Sequence, residues 1–348
     1  MQHWAGVSVR VWVIVLAMLV PVAAPAAGAS ERTLAAPSLA RLAVGPAVIP
    51  DGVLRSAAAP AGFWGGVYMT RTNEHVTVYS SNAYAVDDAA NQRWAEFLAT
   101  LVHGSELSSV SLYLAPPSEV ASICGGVDIL GCYGDDRIVA PGQGTVEISA
   151  ESVVAHEYGH HIAAHRSNAP WPALAWGTKR WASYEQVCRR ARARELFPGA
   201  EGALLYLFNP GEVFAETYRL MNERKAGIPE TPWRVVDQSL TPNERDLALV
   251  EQDVTQPWSA NHTVQLRGTF SARGRTVRSF NVATPLDGAF SATLQSAAGA
   301  RLDVLDGKKR VARGTASTAG TVCGQRAMTF RVTRRSGSGP FSLAVSLP

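Results

Sequence analysis

The residues whose types and spacing could do chemistry are His156, Glu157 and His160, in the segment His-Glu-Tyr-Gly-His. In a helix, residues four apart lie on one face about one turn apart, so both imidazoles can face one ion. Such a pair is typical of zinc sites, where Zn–N distances are about 2.0–2.1 Å. Glu157 is displaced around the helix and can reach a water at the metal without being a ligand. We therefore predict a Zn²⁺ site with Glu157 as general base.

A catalytic zinc ion normally has three protein ligands, so a third ligand is needed. His161 is predicted to point about 100° away from His160, so that it cannot share the face, and His165 is predicted to be a surface or helix-cap residue. Glu212 and Glu216 are better placed, because they share one face of a later predicted helix. We predict Glu212 as the ligand and Glu216 as a hydrogen-bond partner of a liganding histidine. The alternative is a solvated acidic stripe, but neighbouring apolar residues such as Phe214 indicate a partly buried helix.

The elements that must position these residues follow from the apolar pattern. Strands are predicted at 67–70, 75–79, 109–114 and 145–148. Helices are predicted at 88–103, 150–166, 180–196 and 209–223. Ser149 is a suitable N-cap for the helix that carries the histidines, and Pro210 suits the first turn of the glutamate helix. Strands with one helix, followed by helices, predict an α+β domain over residues 65–255.

The composition changes after about residue 253. Helical periodicity disappears, and five short strands are predicted at 263–266, 277–282, 289–294, 329–332 and 341–345. Their spacing predicts a small all-β antiparallel sandwich over residues 256–348. This segment contains 13 Lys and Arg and 3 Asp and Glu, a balance of +10, which leaves −7 for the rest because the whole chain is +3. The basic sandwich could dock on anionic cell-envelope material, or it could be a solvated surface that keeps the domain soluble.

The N-terminus is predicted to be a secretory signal peptide over residues 1–29. Arg10 precedes an apolar run, and small residues end the segment at Ala29. An uncleaved membrane anchor is the alternative, but the run is shorter than the ~20 residues that span a bilayer. Residues 30–64, rich in Ala, Pro and Ser, are interpreted as a linker or short pro-segment. We therefore expect a secreted, extracellular protein with no stable membrane insertion after cleavage.

Export makes disulfides possible for the four cysteines. Cys124 and Cys132 bracket a short glycine-containing segment, so a local bridge between them is predicted. Cys188 with Cys323 would complete the set, although Cys188 could equally be a buried free thiol, and sequence alone does not choose among three full pairings. A zinc site built from cysteines is not expected, because the chain has no Cys-x-x-Cys pair.

The two motifs together resemble the gluzincin group of zinc peptidases. His-Glu-Tyr-Gly-His and the later helix segment Gly-Glu-Val-Phe-Ala-Glu-Thr-Tyr-Arg-Leu-Met are especially similar to anthrax toxin lethal factor-like peptidase domains, and Glu212 lies 52 positions after His160. The resemblance implies a zincin-like α+β fold, Glu212 as the third ligand and Glu216 as its supporting residue. In that family a tyrosine shortly before the glutamate helix assists the oxyanion, but the matching position in this chain is Leu205. Tyr206 beside it is the candidate oxyanion donor, with Tyr184 and Tyr218 as alternatives.

The C-terminal segment is similar to the β-sandwich domains of the pre-peptidase C-terminal kind, mainly through strand spacing and the ending of the chain at residues 339–348. Together these features predict an α+β zincin-like catalytic domain followed by a small all-β antiparallel sandwich. The expected function is that of a secreted zinc-dependent endopeptidase that uses a zinc-activated water and a glutamate base. Alternatives are an amidase for cell-envelope peptides, or a non-catalytic binding module with a structural metal. We expect a protein or peptide substrate lying along strand 145–148, and no nucleic-acid partner.

Overall fold

The computed structural model describes residues 53–54, 59–126, 129–200, 205–230 and 238–348. The predicted signal peptide, and most of the predicted linker, lie outside the described residues. Within the described part of the chain, no helix is both long enough and apolar enough to cross a membrane.

A six-stranded mixed sheet forms the first layer of the α+β part. Its strands are β1 (Val53–Leu54), β2 (Phe63–Met69), β3 (His75–Ser81), β4 (Ser111–Ala115), β5 (Cys132–Gly134) and β6 (Arg137–Pro141). Their order is β1-β2-β3-β4-β6-β5, and the pairs β3–β4 and β4–β6 are parallel while the others are antiparallel. The short strand β5 therefore forms one edge of the sheet.

Helices supply the remaining elements of this part of the chain. They are α1 (Asp88–Thr100), α2 (Pro117–Cys124), α3 (Ala150–Ala164), α4 (Ala173–Trp176), α5 (Lys179–Tyr184), α6 (Val187–Arg192), α7 (Pro210–Ala226) and α8 (Glu244–Thr255). A two-stranded ribbon, β7 (Ser167–Asn168) with β8 (Trp171–Pro172), lies between α3 and α4. Large side chains from the sheet and helices, including Trp94, Trp181 and Phe214, share one buried core.

The two helices that carry the predicted metal ligands begin where the sequence predicts. The Ser149 hydroxyl accepts a hydrogen bond from the Ser152 backbone N–H at the start of α3, at 3.0 Å. The Asn209 side chain accepts one from the Gly211 N–H at the start of α7, also at 3.0 Å. Each cap satisfies a backbone donor that the first helical turn leaves unpaired.

Gly159 determines how closely α3 and α7 approach. A Cβ atom at this position would lie 2.8 Å from the Cα of Ala215 and 3.0 Å from its carbonyl oxygen. The sequence predicts a packing need at Gly159, because glycine within a helix costs about 1 kcal/mol relative to alanine. The close approach confirms that prediction and places the glutamates of α7 against the histidines of α3.

The C-terminal part consists of two four-stranded sheets. The strands are β9 (His262–Phe270), β10 (Val277–Ala283), β11 (Gly288–Ser296), β12 (Gly299–Asp306), β13 (Lys309–Gly314), β14 (Ser317–Val322), β15 (Ala327–Ser336) and β16 (Gly339–Leu347). One sheet has the order β10-β15-β12-β13 and the other β14-β11-β16-β9, with all pairs antiparallel. Both sheets contribute to one apolar core, centred on residues such as Phe290 and Phe330. The predicted antiparallel β-sandwich is thus confirmed at this level.

Three strands of the sandwich, β12 to β14, were not predicted. β13 is rich in basic residues and largely exposed, and β14 contains a central glycine among small residues. Neither gives the apolar alternation by which strands are recognised. They are strands because their neighbours β12 and β11 offer unpaired backbone edges.

Two of the predicted elements are wrong. Residues 145–148 are not a strand: the Thr145 N–H donates to the Ile148 carbonyl at 2.8 Å, which closes a turn before α3. The predicted edge for a substrate therefore cannot be there. The single helix predicted over 180–196 is instead α5 and α6, separated at Gln186, whose φ of 54° is left-handed and ends regular helix.

Two disulfides are present, of which the one between Cys124 and Cys132 was predicted, and none of the four cysteines is free. Cys124 is bonded to Cys132, which ties the end of α2 to β5. Cys188 of α6 is bonded to Cys323, just after β14, so this bridge links the helical part to the sandwich. The pairing that sequence left open is thereby settled. The two bridges are consistent with an extracellular or periplasmic location.

Candidate metal centre

Three side-chain atoms converge where the helices α3 and α7 meet. The Nε2 atom of His156 lies 3.3 Å from Oε2 of Glu212, and the Nε2 atom of His160 lies 3.4 Å from the same oxygen. A tetrahedral centre with metal–ligand distances of about 2.0–2.1 Å has ligand–ligand separations of roughly 3.3–3.4 Å. Two imidazoles and a carboxylate are also a donor set that suits zinc. The predicted ligand triad therefore fits a Zn²⁺ ion in both spacing and chemistry.

Glu216 supports the outer side of this group. One of its oxygens, Oε1, lies 3.6 Å from Nδ1 of His156, and the other accepts a 2.5 Å hydrogen bond from Nε of Arg219. Arg219 also donates to Glu223 at 2.6 Å, and Glu223 accepts from the Ser152 hydroxyl at 2.7 Å. This buried chain of charged groups fixes the carboxylate of Glu216 behind His156, the position predicted for it.

Glu157 lies on α3 beside the triad and is almost fully buried. Its Oε1 atom would be 3.0 Å from a Cβ at Gly131, the residue just before edge strand β5. Glycine at that position leaves room for the carboxylate next to the sheet edge. Glu157 therefore lies next to the residue that precedes β5, and it is not one of the grouped ligands His156, His160 and Glu212.

Tyr206 is the tyrosine that reaches the candidate site. Its hydroxyl donates a 2.6 Å hydrogen bond to Oε2 of Glu212, and the residue is 39% exposed. Of the two alternatives, Tyr218 is buried and its hydroxyl donates to the Val102 carbonyl at 2.6 Å. Tyr184 is exposed and its hydroxyl contacts Asn243 at 3.4 Å. Among the three candidates, only Tyr206 can serve the group around Glu212.

Burial and charge oppose each other at these residues. Burial raises the pKa of Glu212, but the neighbouring His160 and His156 outweigh it, so the net pKa is well below the usual range. Burial lowers the pKa of His156, but the carboxylates of Glu212 and Glu216 outweigh it and raise the net value. Burial raises the pKa of Glu157. The carboxylates of Glu212 and Glu216 therefore favour positive charge at His156, which a bound cation would supply in place of a proton on that ring.

Sequence reasoning missed a second group of possible ligands, formed by Asp136, His161 and His165. His161 is fully buried and points away from the first group, and His165 caps the C-terminus of α3, both as predicted. Their own spacing of four residues repeats that of His156 and His160. That repeat is the sequence signal that could have identified the two histidines. It does not extend to Asp136, which comes from the turn between β5 and β6.

Comparison with known proteins gives limited similarity. No protein-family model matches the sequence, and no curated protein sequence gives a significant match. Among solved structures, the chain is similar to a periplasmic inhibitor of g-type lysozyme, PliG, from Aeromonas hydrophila, with 19% identity, 25% of this chain, 86% of that chain and a TM-score of 0.21. It is also similar to the pre-peptidase C-terminal domain of collagenase from Bacillus anthracis, with 20% identity, 25% of this chain, 89% of that chain and a TM-score of 0.20. At these TM-scores neither similarity indicates a function for the chain.

Proposed function

We propose that this chain is a zinc-dependent hydrolase of peptide bonds, with His156, His160 and Glu212 as the metal ligands. The observation that carries the proposal is the convergence of their three ligand atoms, with both separations from Glu212 at values that suit tetrahedral zinc and with Glu157 adjacent. A structural zinc site usually has four protein ligands and needs no carboxylate base beside them. Three ligands and a buried glutamate therefore favour a catalytic site over a structural one.

In this proposal each residue has a separate task. When bound, Zn²⁺ supplies Lewis acidity that polarises a carbonyl and makes a water at the site more acidic. Glu157 accepts the proton of the attacking water and then donates it to the leaving amine. The Tyr206 hydroxyl, at the exposed side of Glu212, donates a hydrogen bond to the oxygen on which negative charge develops. Glu216 holds His156 in its orientation through the chain that continues to Arg219.

The edge strand β5 is the candidate support for a peptide substrate. It is the outermost strand on its side of the described sheet, so one of its backbone edges has no strand partner there. An extended peptide can add to such an edge through main-chain hydrogen bonds. Gly131, which precedes β5, lies next to Glu157. A peptide on β5 would thus bring a scissile bond close to the proposed base, and β5 replaces residues 145–148 in this role.

The direct test combines metal content with activity. We expect the purified chain, without its predicted signal peptide, to bind Zn²⁺ and to cleave casein or members of a peptide library. Glu157→Gln should retain the bound zinc and lose turnover by a factor of about 10²–10⁴, because it removes only the general base. Glu212→Ala should lose the zinc bound by His156 and His160 together with the activity.

Glu147→Gln is the matched control, because Glu147 is an exposed carboxylate in the turn before α3. It should keep both zinc and activity at the level of the unsubstituted chain. Equal cleavage by the chain with and without Glu157→Gln would overturn the assigned base. Full zinc binding by Glu212→Ala would overturn the assigned third ligand.

A further inference from the structure

The group formed by Asp136, His161 and His165 brings three donor side chains together on a face of α3 away from the first site. The Nε2 atom of His165 lies 2.7 Å from Oδ1 of Asp136, and Nδ1 of His161 lies 3.4 Å from the same oxygen. One ligand atom from each of the three residues lies within 4.8 Å of the others. The imidazole rings of His161 and His165 are 4.5 Å apart between centroids.

His161 is oriented as metal-ligating histidines are. Its Nε2 atom lies 2.9 Å from the backbone carbonyl oxygen of Glu106, which can only accept a hydrogen bond. The proton of a neutral ring is therefore on Nε2, and the lone pair of Nδ1 faces Asp136. In a ligating histidine, the N–H of the ring nitrogen that does not bind the metal usually donates to a carbonyl or carboxylate. This hydrogen bond fixes the tautomer and the orientation of the ring. The ring is fully buried, so this orientation is fixed by packing as well.

The other two residues can adjust around this fixed ring. The side chains of Asp136 and His165 are 45% and 33% exposed, so an ion has access from solvent. The 3.4 Å separation between His161 and Asp136 already matches a tetrahedral edge of roughly 3.3–3.4 Å. The 2.7 Å separation is that of a direct hydrogen bond and would have to lengthen by a few tenths of an ångström on binding. The hydroxyl of Tyr133 lies 3.2 Å from Asp136 and 3.3 Å from His161, and completes the surroundings of the group.

We propose that Asp136, His161 and His165 form a second divalent-cation site, of the chemical class of Zn²⁺, that ties the β5–β6 turn to α3. Two imidazoles and a carboxylate favour zinc and similar borderline ions over Ca²⁺ or Mg²⁺. Asp136 lies in the turn that joins β5 to β6, with a φ of 60°, and the histidines lie at the C-terminal end of α3. A bound ion therefore fixes the sheet edge beside Glu157 to the helix that carries Glu157. This second site does not depend on the proposed hydrolytic activity.

The stoichiometry of Zn²⁺ binding tests the proposal on the demetallated chain. We expect two equivalents per chain, and one equivalent after Asp136→Asn combined with His165→Gln. Asparagine tolerates a positive φ, so the turn should be retained. Glu212→Ala should also leave one equivalent, and the triple variant should leave none. Asp135→Asn, a substitution of the neighbouring and more exposed carboxylate in the same turn, is the matched control and should keep two.

Thermal unfolding with added Zn²⁺ separates the two sites. In Glu212→Ala, Zn²⁺ should still raise Tm through the second site, because an ion that binds only the folded state stabilises it. That increase in Tm should disappear in the double variant Glu212→Ala with Asp136→Asn. As a control, circular dichroism should show that each single variant, Asp136→Asn or His165→Gln, is folded. Equal zinc content with and without the Asp136 and His165 substitutions would overturn the second site. If zinc were lost only from the site that contains Glu212, the second site would stand, and the result would concern the proposed function alone.

Discussion

The Tyr206 hydroxyl donates a hydrogen bond to the proposed metal ligand Glu212, so its role can be tested at a single atom. We expect Tyr206→Phe, assayed at saturating Zn²⁺, to lower kcat by about 10²-fold, the size typical for loss of one oxyanion donor. Tyr184→Phe removes an exposed hydroxyl far from this group and should leave kcat unchanged. If Tyr206→Phe kept the full rate at saturating Zn²⁺, Tyr206 would only support Glu212 and would not act on the substrate.

Glu106 gives the fold a dependence on pH. Burial raises the pKa of Glu106, but the Gly104 N–H and Arg166, which donate to it at 2.6 and 2.9 Å, outweigh burial and lower the net pKa. The stabilisation is therefore fully present above the ordinary value of 4.5 and is lost as pH falls through the lower folded value.

We expect Glu106→Gln to reduce the free energy of unfolding at pH 7 by about 1–3 kcal/mol, since a charged hydrogen bond is lost from a buried position. Urea unfolding at several pH values should show this difference shrinking as the pH falls below 4.5. Glu147→Gln, on an exposed turn, should show no difference at any of these pH values. A penalty for Glu106→Gln that stayed constant down to pH 3 would contradict the assigned charge.

The elements that carry the candidate site were those most accessible to sequence reasoning. Helices α3 and α7 have caps, apolar faces and ligand-type residues at a spacing of four, all of which are local properties of the chain. Glu212 could be selected because its helix is partly apolar and Glu216 follows it by one turn. Two of the failures, β14 and the partnership of Asp136 with His161, depend on neighbours distant in sequence. Local patterns carry no information about such neighbours. The turn at 145–148 is instead closed locally, between Thr145 and Ile148, and its β-branched residues imitate a strand.

Gly159 couples helix packing to the geometry of the ligand group. We expect Gly159→Ala to destabilise the chain by about 1–3 kcal/mol, because a Cβ 2.8 Å from Ala215 overpacks the contact between α3 and α7. This cost should exceed the gain of about 1 kcal/mol from better helix propensity. The added methyl group should push α7 away from α3, and Glu212 would then move away from the histidines. Zinc affinity should therefore also fall. Unfolding curves and zinc titrations measure the two effects.

Gly134→Ala is the control for this packing effect, because a Cβ at Gly134 would meet no atom within 4 Å. It should change neither stability nor zinc affinity by a comparable amount. A Gly159→Ala chain that was more stable and bound zinc normally would show that the two helices can separate without cost to the site.

The described part of the molecule consists of a helical and mixed-sheet part and a sandwich, each with its own apolar core. Several polar contacts join them: the Asp287 N–H donates to the Ser183 hydroxyl at 2.9 Å, and Arg326 donates to the Ser183 carbonyl at 2.5 Å. The disulfide between Cys188 and Cys323 crosses the same junction. Covalent and polar links therefore attach the basic sandwich firmly to the part that carries the candidate site.

The two disulfides should contribute unequally to the stability of the molecule. Cys188 and Cys323 are separated by 135 residues, and Cys124 and Cys132 by 8. In the chain-entropy model, the longer loop restricts the unfolded chain more, by about 2.5 kcal/mol. We expect replacement of Cys188 and Cys323 by alanine to lower the free energy of unfolding more than replacement of Cys124 and Cys132. Calorimetry should further resolve two transitions only in the first variant, because only that bridge couples the two cores. Equal losses, with one transition in both variants, would mean that the polar junction around Ser183 alone unites the molecule.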